Sequence, residues 1–244
     1  MTRKHRYIPL LLSSLFLLAA AGCDRNKTNF VFHENFIEVY LENDKWGISL
    51  REGYDKPPFY NEPPYHYILL CDNGPSSKRI DKESSPVRFE RLAERNGDTS
   101  FNRWIDHWRA DPSDWPYTVY TWADNFQSMH VTSDADWDEA HPAGTPLDDI
   151  LRIKIETYAE FVRSGYQTYP HISIEKSMLI SELTPEDMEM IACYPEIRFT
   201  SAPTISPNHT LTLEWTTIEG RVITASLDCS EATEALWHEA RQSD

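Results

Sequence analysis

Short stretches in which hydrophobic and polar residues alternate recur along most of the chain. The longest covers residues 150–162, where Ile153, Ile155 and Phe161 belong to one set and charged residues to the other. A period of two places every second side chain on the same face of a strand, so this pattern predicts a strand. Glu, Lys and Ala are good helix formers, and a helix over the same residues is the alternative.

Two pairs of such stretches predict antiparallel hairpins. In the first, β-forming residues from Phe30 to Leu41 are separated by Asn43-Asp44 from a second alternating stretch at 46–50. In the second, hydrophobic positions between 211 and 227 flank Glu219-Gly220. Polar or glycine-containing turns between alternating runs are typical of β-hairpins.

Helix signals are few. Thr184 can cap a helix, Pro185 suits the first turn, and the two acidic residues after it favour the positive end of the helix dipole. A last helix is predicted from residue 230 or 231 to about 242. The polar region at 73–103 is interpreted as a solvated excursion that can include a short helix near 88–95.

The predicted fold class is therefore mainly β: an antiparallel β-sandwich, Ig-like or similar, with one or two short helices. The strands are short, and polar loops separate them, of which residues 53–65 contain four prolines. The helices are too few to alternate with strands in a parallel α/β sheet.

The amino terminus has the organisation of a secretory signal peptide. Basic residues at the start precede an apolar run from Ile8 to Ala21, and small residues lead to Cys23. The run has 14 residues, whereas a helix needs roughly 20 to span a bilayer. The predicted organisation is a signal peptide at 1–22, a polar tether at 23–29 and a single β-rich envelope domain at 30–244.

The phrase Leu18-Ala19-Ala20-Ala21-Gly22-Cys23 resembles the lipobox of bacterial lipoproteins. The resemblance implies cleavage before Cys23, diacylation of its sulfur and a lipid anchor in a bacterial membrane of the cell envelope, either inner or outer. Ala20 stands where Leu is commonest in that motif. Ordinary cleavage within the alanines, giving a free periplasmic protein, is the alternative.

Charge narrows the range of partners. The chain carries a net charge of −16, and removal of residues 1–22 takes away three basic residues and leaves −19. Nucleic acid is therefore not an expected partner, because its phosphates attract Lys and Arg. The same charge disfavours close contact of the domain with an anionic membrane surface, so the predicted membrane contact is the lipid anchor.

An acidic stretch suggests a cation site. Residues 110–151 contain nine acidic residues and no Lys or Arg, and Asp134, Asp136 and Asp138 occupy alternate positions within them. Such spacing lets a loop turn its carboxylates toward one hard cation, and Ca²⁺ is the cofactor that fits this pattern best. The stretch lacks the glycine and the final glutamate of an EF-hand loop, and a solvated acidic loop is the alternative.

The eight tryptophans suggest a second candidate site. Trp104 and Trp108 are four residues apart and share one face if the segment is helical. Exposed aromatic rings can stack on sugars or peptides, so a glycan- or protein-binding surface is one interpretation. Packing in the core or at strand edges is the other.

Cysteine usage adds little to the functional picture. If Cys23 carries lipid, then Cys71, Cys193 and Cys229 remain, and any one of their three pairings could form a disulfide in an oxidising compartment. Three small buried thiols are the alternative. Since the chain lacks a C-x-x-C pair, thioredoxin-like and zinc-ribbon chemistry is not predicted.

Function is predicted only in outline. Residues 137–150 are weakly similar to phrases in uncharacterised lipoproteins of Bacteroidetes-type bacteria, which implies a β-rich envelope domain without naming an active residue. The chain contains no G-x-S-x-G or H-E-x-x-H motif. We therefore predict a binding or interaction module with no assigned catalytic residue. A hydrolase acting on glycan or envelope polymers through paired carboxylates is the alternative.

Overall fold

The structure is a computed structural model. It describes residues 30–31, 35–43, 47–52, 67–72, 77–101, 103–104, 118–167, 172–192 and 194–242. The predicted signal peptide, the tether and the proline-rich stretch at 53–65 lie outside these residues. The described residues divide into two units: residues 30–31 and 103–104 belong to the smaller one, and the described residues of 35–101 and 118–242 belong to the larger one.

The described part of the chain is mainly β. Its strands are β1 (Phe30–Val31), β2 (Val39–Glu42), β3 (Gly47–Glu52), β4 (Tyr67–Asp72), β5 (Lys78–Ile80), β6 (Arg103–Trp104), β7 (Tyr120–Trp122), β8 (Phe126–Ser133), β9 (Leu151–Thr157), β10 (Ile174–Leu179), β11 (Glu196–Phe199), β12 (Thr210–Thr217) and β13 (Val222–Asp228). The helices are α1 (Pro86–Asn96), α2 (Ala159–Arg163) and α3 (Ser230–Gln242), with 3-10 helices at Ile180–Glu182 and Pro185–Met188. No helix within the described ranges is long and apolar enough to cross a membrane.

The strands form four sheets. In the larger unit, a five-stranded sheet has the order β10-β9-β11-β4-β3, and a three-stranded sheet has the order β13-β12-β8. Every pairing in these two sheets is antiparallel. The other three-stranded sheet, β5-β2-β7, contains a parallel pair, because β2 runs alongside β7 in the same direction. In the smaller unit, β1 pairs with β6.

The strand predicted from alternation at 150–162 is confirmed over β9. Every second side chain, from Leu151 to Thr157, is buried, and the residues between them are partly exposed. The prediction is wrong beyond this point, because residues 159–163 form α2. This helix ends at Arg163, and Gly165 and Tyr166, which follow it, both have positive φ.

Of the two predicted hairpins, the second is confirmed and the first is wrong. Strands β12 and β13 pair as expected, with Thr216 opposite Val222 and Gly220 at φ 81° in the turn. By contrast, β2 pairs with β5 and β7, whereas β3 pairs with β4. The reason is burial: Tyr40 of β2 lies in one hydrophobic cluster, and Ile48 and Leu50 of β3 pack against another.

Helices are more numerous than the predicted one or two, since the described residues include three α-helices and two 3-10 helices. The start at Thr184 is confirmed, but the helix that begins there is a single short 3-10 helix. The Thr184 amide and hydroxyl both donate to Asp187, at 2.9 and 2.7 Å. The last helix, α3, has the predicted bounds. Helix α1 buries one face, which includes Phe89 and Leu92.

Two hydrophobic clusters form the core of the larger unit. The larger cluster takes buried side chains from both antiparallel sheets, among them Ile153 of β9, Phe199 of β11 and Trp215 of β12. The smaller cluster surrounds Phe36, whose ring meets Phe161 edge-on at 4.7 Å. Burial of apolar surface contributes about 25 cal/mol per Å², so these clusters are the main source of stability.

Candidate functional site

The predicted cation-binding residues lie in a long connection between the two antiparallel sheets, which we call the acidic loop (residues 134–149). It follows β8 of one sheet and precedes β9 of the other. The loop folds back on β8, because the Gly144 amide donates to the Ser133 carbonyl at 2.7 Å and the Leu147 amide to the Val131 carbonyl at 2.8 Å. Its backbone is therefore fixed against a strand.

Trp137 holds the middle of the acidic loop. Its side chain is fully buried, and its ring stacks on Phe199 with centroids 5.3 Å apart. Its carbonyl accepts hydrogen bonds from the amides of Thr204 and Ile205, at 2.7 and 3.2 Å. These last two residues belong to what we call the facing segment (residues 204–210), which leads into β12. Sequence reasoning placed Trp137 in the acidic stretch without assigning it this role.

The three predicted ligands each serve a different part of the backbone. One carboxylate oxygen of Asp134 accepts from the Thr210 amide, and one of Asp136 accepts from the Ala143 amide, both at 2.7 Å. One oxygen of Asp138 accepts from the amides of Ala140 and His141. In the part of the chain that the structure describes, no group of three His, Cys, Asp or Glu side chains is arranged to hold a metal ion.

His141 lies between two carboxylates of the acidic loop. Its Nδ1 lies 2.8 Å from Asp138 and its Nε2 2.9 Å from Asp149. Burial alone would lower the pKa of His141, but the hydrogen bonds and negative charges of the two carboxylates raise it above its ordinary value. Since both ring nitrogens must donate to acceptors, the imidazolium is the form that these bonds stabilise.

The aromatic residues predicted to bind a ligand are only partly within the described residues. Trp104 lies in β6, and Trp108 lies outside the described residues, so a surface that uses both stays a prediction. Three other tryptophans, Trp122, Trp137 and Trp215, are buried in the larger cluster. For these three, packing in the core is the observed role.

The four cysteines are also only partly within the described residues. Cys229 is a free thiol with no exposed surface, and burial raises its pKa to about 12. Such a thiol is unreactive at neutral pH, so the small-buried-residue interpretation is confirmed for Cys229. Cys71 lies in β4, whereas Cys23 and Cys193 lie outside the described residues. Lipidation of Cys23 stays a prediction, and of the three pairings left open by the sequence only Cys71 with Cys193 does not involve the free Cys229.

Among the described residues, Asp98 is the carboxyl group most removed from water. It has no exposed surface, and its oxygens accept from the amides of Phe36 and Ile37 and from the Tyr166 hydroxyl. Burial raises its pKa, against the opposing effect of these three bonds. A paired-carboxylate hydrolase needs a second acid across a cleft, but the hydrogen-bond partners of Asp98 are two amides and a phenol. Its observed role is structural.

The chemistry available at the acidic loop is thus hydrogen bonding and charge presentation. The carboxylates of Asp134, Asp136 and Asp138 fix the backbone, and the first two are exposed to solvent. The Asp149 side chain is 63% exposed and pairs with His141. Sequence reasoning missed Trp137, His141 and Asp98 as fixed points, because their partners are set by the fold. No family model, curated protein or solved structure matches the chain.

Proposed function

We propose that the protein is a lipid-anchored lipoprotein of the bacterial cell envelope whose β-rich domain acts as a binding or interaction module. The observation that carries the anchor is the lipobox-like phrase ending in Cys23, directly after a positively charged start and a short apolar run. Two or more acyl chains on one cysteine suffice for stable anchoring, since each buried CH₂ contributes about 0.8 kcal/mol.

The architecture that we infer for the module is a β-sandwich formed by the two antiparallel sheets. Its support is the larger hydrophobic cluster, which takes side chains from strands of both sheets, such as Leu151 and Leu213. Two sheets that bury their inner faces against each other form one core. The acidic loop then joins the two layers at one end of β8.

A binding role agrees with the surface chemistry of the described residues. The backbone of the acidic loop is hydrogen bonded to β8, and Asp134, Asp136 and Asp149 are exposed on the loop. A rigid negative loop favours partners that offer cationic or hydrogen-bond-donating groups, such as a protein or a glycan. Trp104 and Trp108 are the aromatic residues proposed to stack on such a ligand.

The anchor is tested by Cys23→Ser. The variant is expected to lose membrane association and to accumulate as an unprocessed or soluble form, because the acyl acceptor is gone. Fractionation and gel mobility of the full chain measure this. Ala20→Leu introduces the commonest lipobox residue and is the matched control, with processing and membrane association retained. A Cys23→Ser protein that fractionates and migrates like wild type would show that Cys23 carries no anchor.

The binding role is tested on an array of glycans and peptides probed with the mature Cys23→Ser chain. We expect a restricted set of ligands whose signal falls at least about tenfold in Trp104→Ala with Trp108→Ala, since aromatic stacking is worth about 1–3 kcal/mol per ring. Trp237→Ala, on α3, is the control and should bind normally. Silence of the mature Cys23→Ser chain across the array would argue against the glycan and peptide ligands.

A further inference from the structure

A buried serine–histidine pair lies where the acidic loop leaves β8. The Ser133 hydroxyl and Nδ1 of His209 are 2.7 Å apart, and Nε2 of the same ring is 2.7 Å from the Ser206 carbonyl. A carbonyl can only accept, so Nε2 carries the ring proton and Nδ1 accepts from the serine hydroxyl. The exposed fractions are 4% for Ser133 and 1% for His209.

This pair sits at the centre of the bonds that hold the acidic loop to the facing segment. On one side of His209, the Ser206 amide donates to the Asp136 carbonyl at 3.1 Å. On the other, Thr210 and Asp134 exchange backbone and side-chain bonds at 3.1 and 2.7 Å. The ring centroids of Trp137 and His209 are 4.8 Å apart, so the imidazole is packed as well as hydrogen bonded.

We propose that His209 is an acid-sensitive lock, whose protonation releases the acidic loop from the facing segment while the sheets stay folded. A second ring proton, on Nδ1, would point at the Ser133 oxygen and force the hydroxyl to turn away. The Ser133 oxygen already accepts from the Ala135 amide at 3.2 Å. Once the Ser133 hydroxyl turns away from Nδ1, its proton has no acceptor within the pair. The charged ring would also be almost fully buried.

The electrostatic surroundings of His209 favour the neutral ring in the folded protein. Burial lowers the pKa of His209, and the Ser206 carbonyl and the Asp134 charge oppose it less strongly. The charged group that faces the His209 ring is Asp134 of the acidic loop. The other neighbours are neutral: the Trp137 ring packs beside the imidazole, and the Cys229 amide donates to the His209 carbonyl. The neutral ring therefore stabilises the fold above pH 6.5, and this stabilisation is lost as the pH falls below 6.5.

His141 responds to acid differently from His209. Its pKa is raised, so the stabilisation that it contributes is complete below pH 6.5 and is lost only as the pH rises through its folded value. Acidification below pH 6.5 thus leaves the His141 bonds in place. An opening of the facing segment in mild acid is for this reason assigned to His209.

The lock is tested by hydrogen exchange of the full mature chain at pH 7 and pH 5, corrected for the intrinsic exchange rate. For the amides of Thr204, Ser206 and Thr210, we expect the equilibrium constant for opening to be about 20- to 30-fold larger at pH 5 than at pH 7, if the open state takes up one proton near pH 6.5. Amides of β9 should not show this increase. His209→Gln should abolish the pH effect, and His238→Gln, which alters an exposed histidine on α3, should retain it.

Ser133→Ala provides a second variant. Loss of the hydroxyl donor removes a bond that favours the neutral ring, so opening should begin at higher pH than in wild type. Equal opening at both pH values in wild type, or a pH effect that persists in His209→Gln, would overturn the proposal. If neither variant folds, the ¹⁵N shifts of the wild-type His209 ring decide: a ring that protonates above pH 6.5 with the facing segment closed also overturns it.

Discussion

Trp137→Ala is expected to destabilise the protein by about 3–5 kcal/mol, which is the range for removing a fully buried tryptophan. The ring fills the space between the acidic loop and β11, where it stacks on Phe199 and packs beside His209. Alanine leaves a cavity next to a buried, hydrogen-bonded histidine, and the neighbouring backbone is fixed to strands and cannot close it. Denaturant unfolding followed by far-UV circular dichroism measures the loss.

Trp237→Ala is the matched control for Trp137→Ala. Trp237 lies partly exposed on α3, with the Arg241 guanidinium 3.9 Å from its ring centroid. We expect its removal to cost about 1 kcal/mol or less, because an exposed cation–π contact contributes about 0.5–1 kcal/mol. Equal losses in the two variants would mean that Trp137 does not hold the acidic loop against the core.

Strands whose burial alternates were predictable from the sequence, because the side-chain period is a local property. In β9 and β12 every second residue is buried, and the residues between them are partly exposed. The helix α3 was also predictable, and its observed bounds, Ser230–Gln242, agree with the predicted ones. In each case the neighbours along the chain determine the structure.

Strand partners were not predictable in the same way. The parallel partner of β2 is β7, about eighty positions further along the chain, and no local pattern specifies that pairing. Turn residues at Asn43-Asp44 suggested a hairpin, but β2 and β3 bury their side chains in different hydrophobic clusters. The choice between a hairpin and two separate sheets is therefore made by tertiary packing.

The acidic loop shows the same division between local and distant information. Its composition was evident from the sequence, and so was the alternate spacing of Asp134, Asp136 and Asp138. The partners of these carboxylates were not, because the acceptors are matched to amides that the fold brings close, such as that of Thr210. Carboxylates in a polar loop satisfy backbone donors as readily as they bind cations, and spacing alone does not separate the two.

Asp98→Ala is expected to destabilise the protein by about 3 kcal/mol. The change leaves the amides of Phe36 and Ile37 and the Tyr166 hydroxyl without an acceptor, and each buried donor left unpaired costs about 1–3 kcal/mol. Removal of a buried charge offsets part of this loss. The segment at 35–37 should loosen first, because the amides of Phe36 and Ile37 lose their acceptor while only the bond from Asn35 to the backbone carbonyl of residue 98 is kept. Chemical denaturation and amide exchange at Phe36 and Ile37 measure both effects.

Asp98→Asn separates shape from charge. Burial raises the pKa of Asp98 above 3.8, so the folded protein binds this proton more tightly than the unfolded chain does. Wild-type stability from this group is therefore greatest in acid and falls as the pH rises through the raised pKa. The advantage of wild type over Asp98→Asn should shrink over that interval. Asp81→Asn is the control, with the opposite dependence of stability on pH. Turn amides lower the pKa of Asp81, so its contribution to stability is lost as the pH falls. An advantage over Asp98→Asn that grows with pH would show that the buried carboxylate is stabilised by its three donors more than it is penalised by burial.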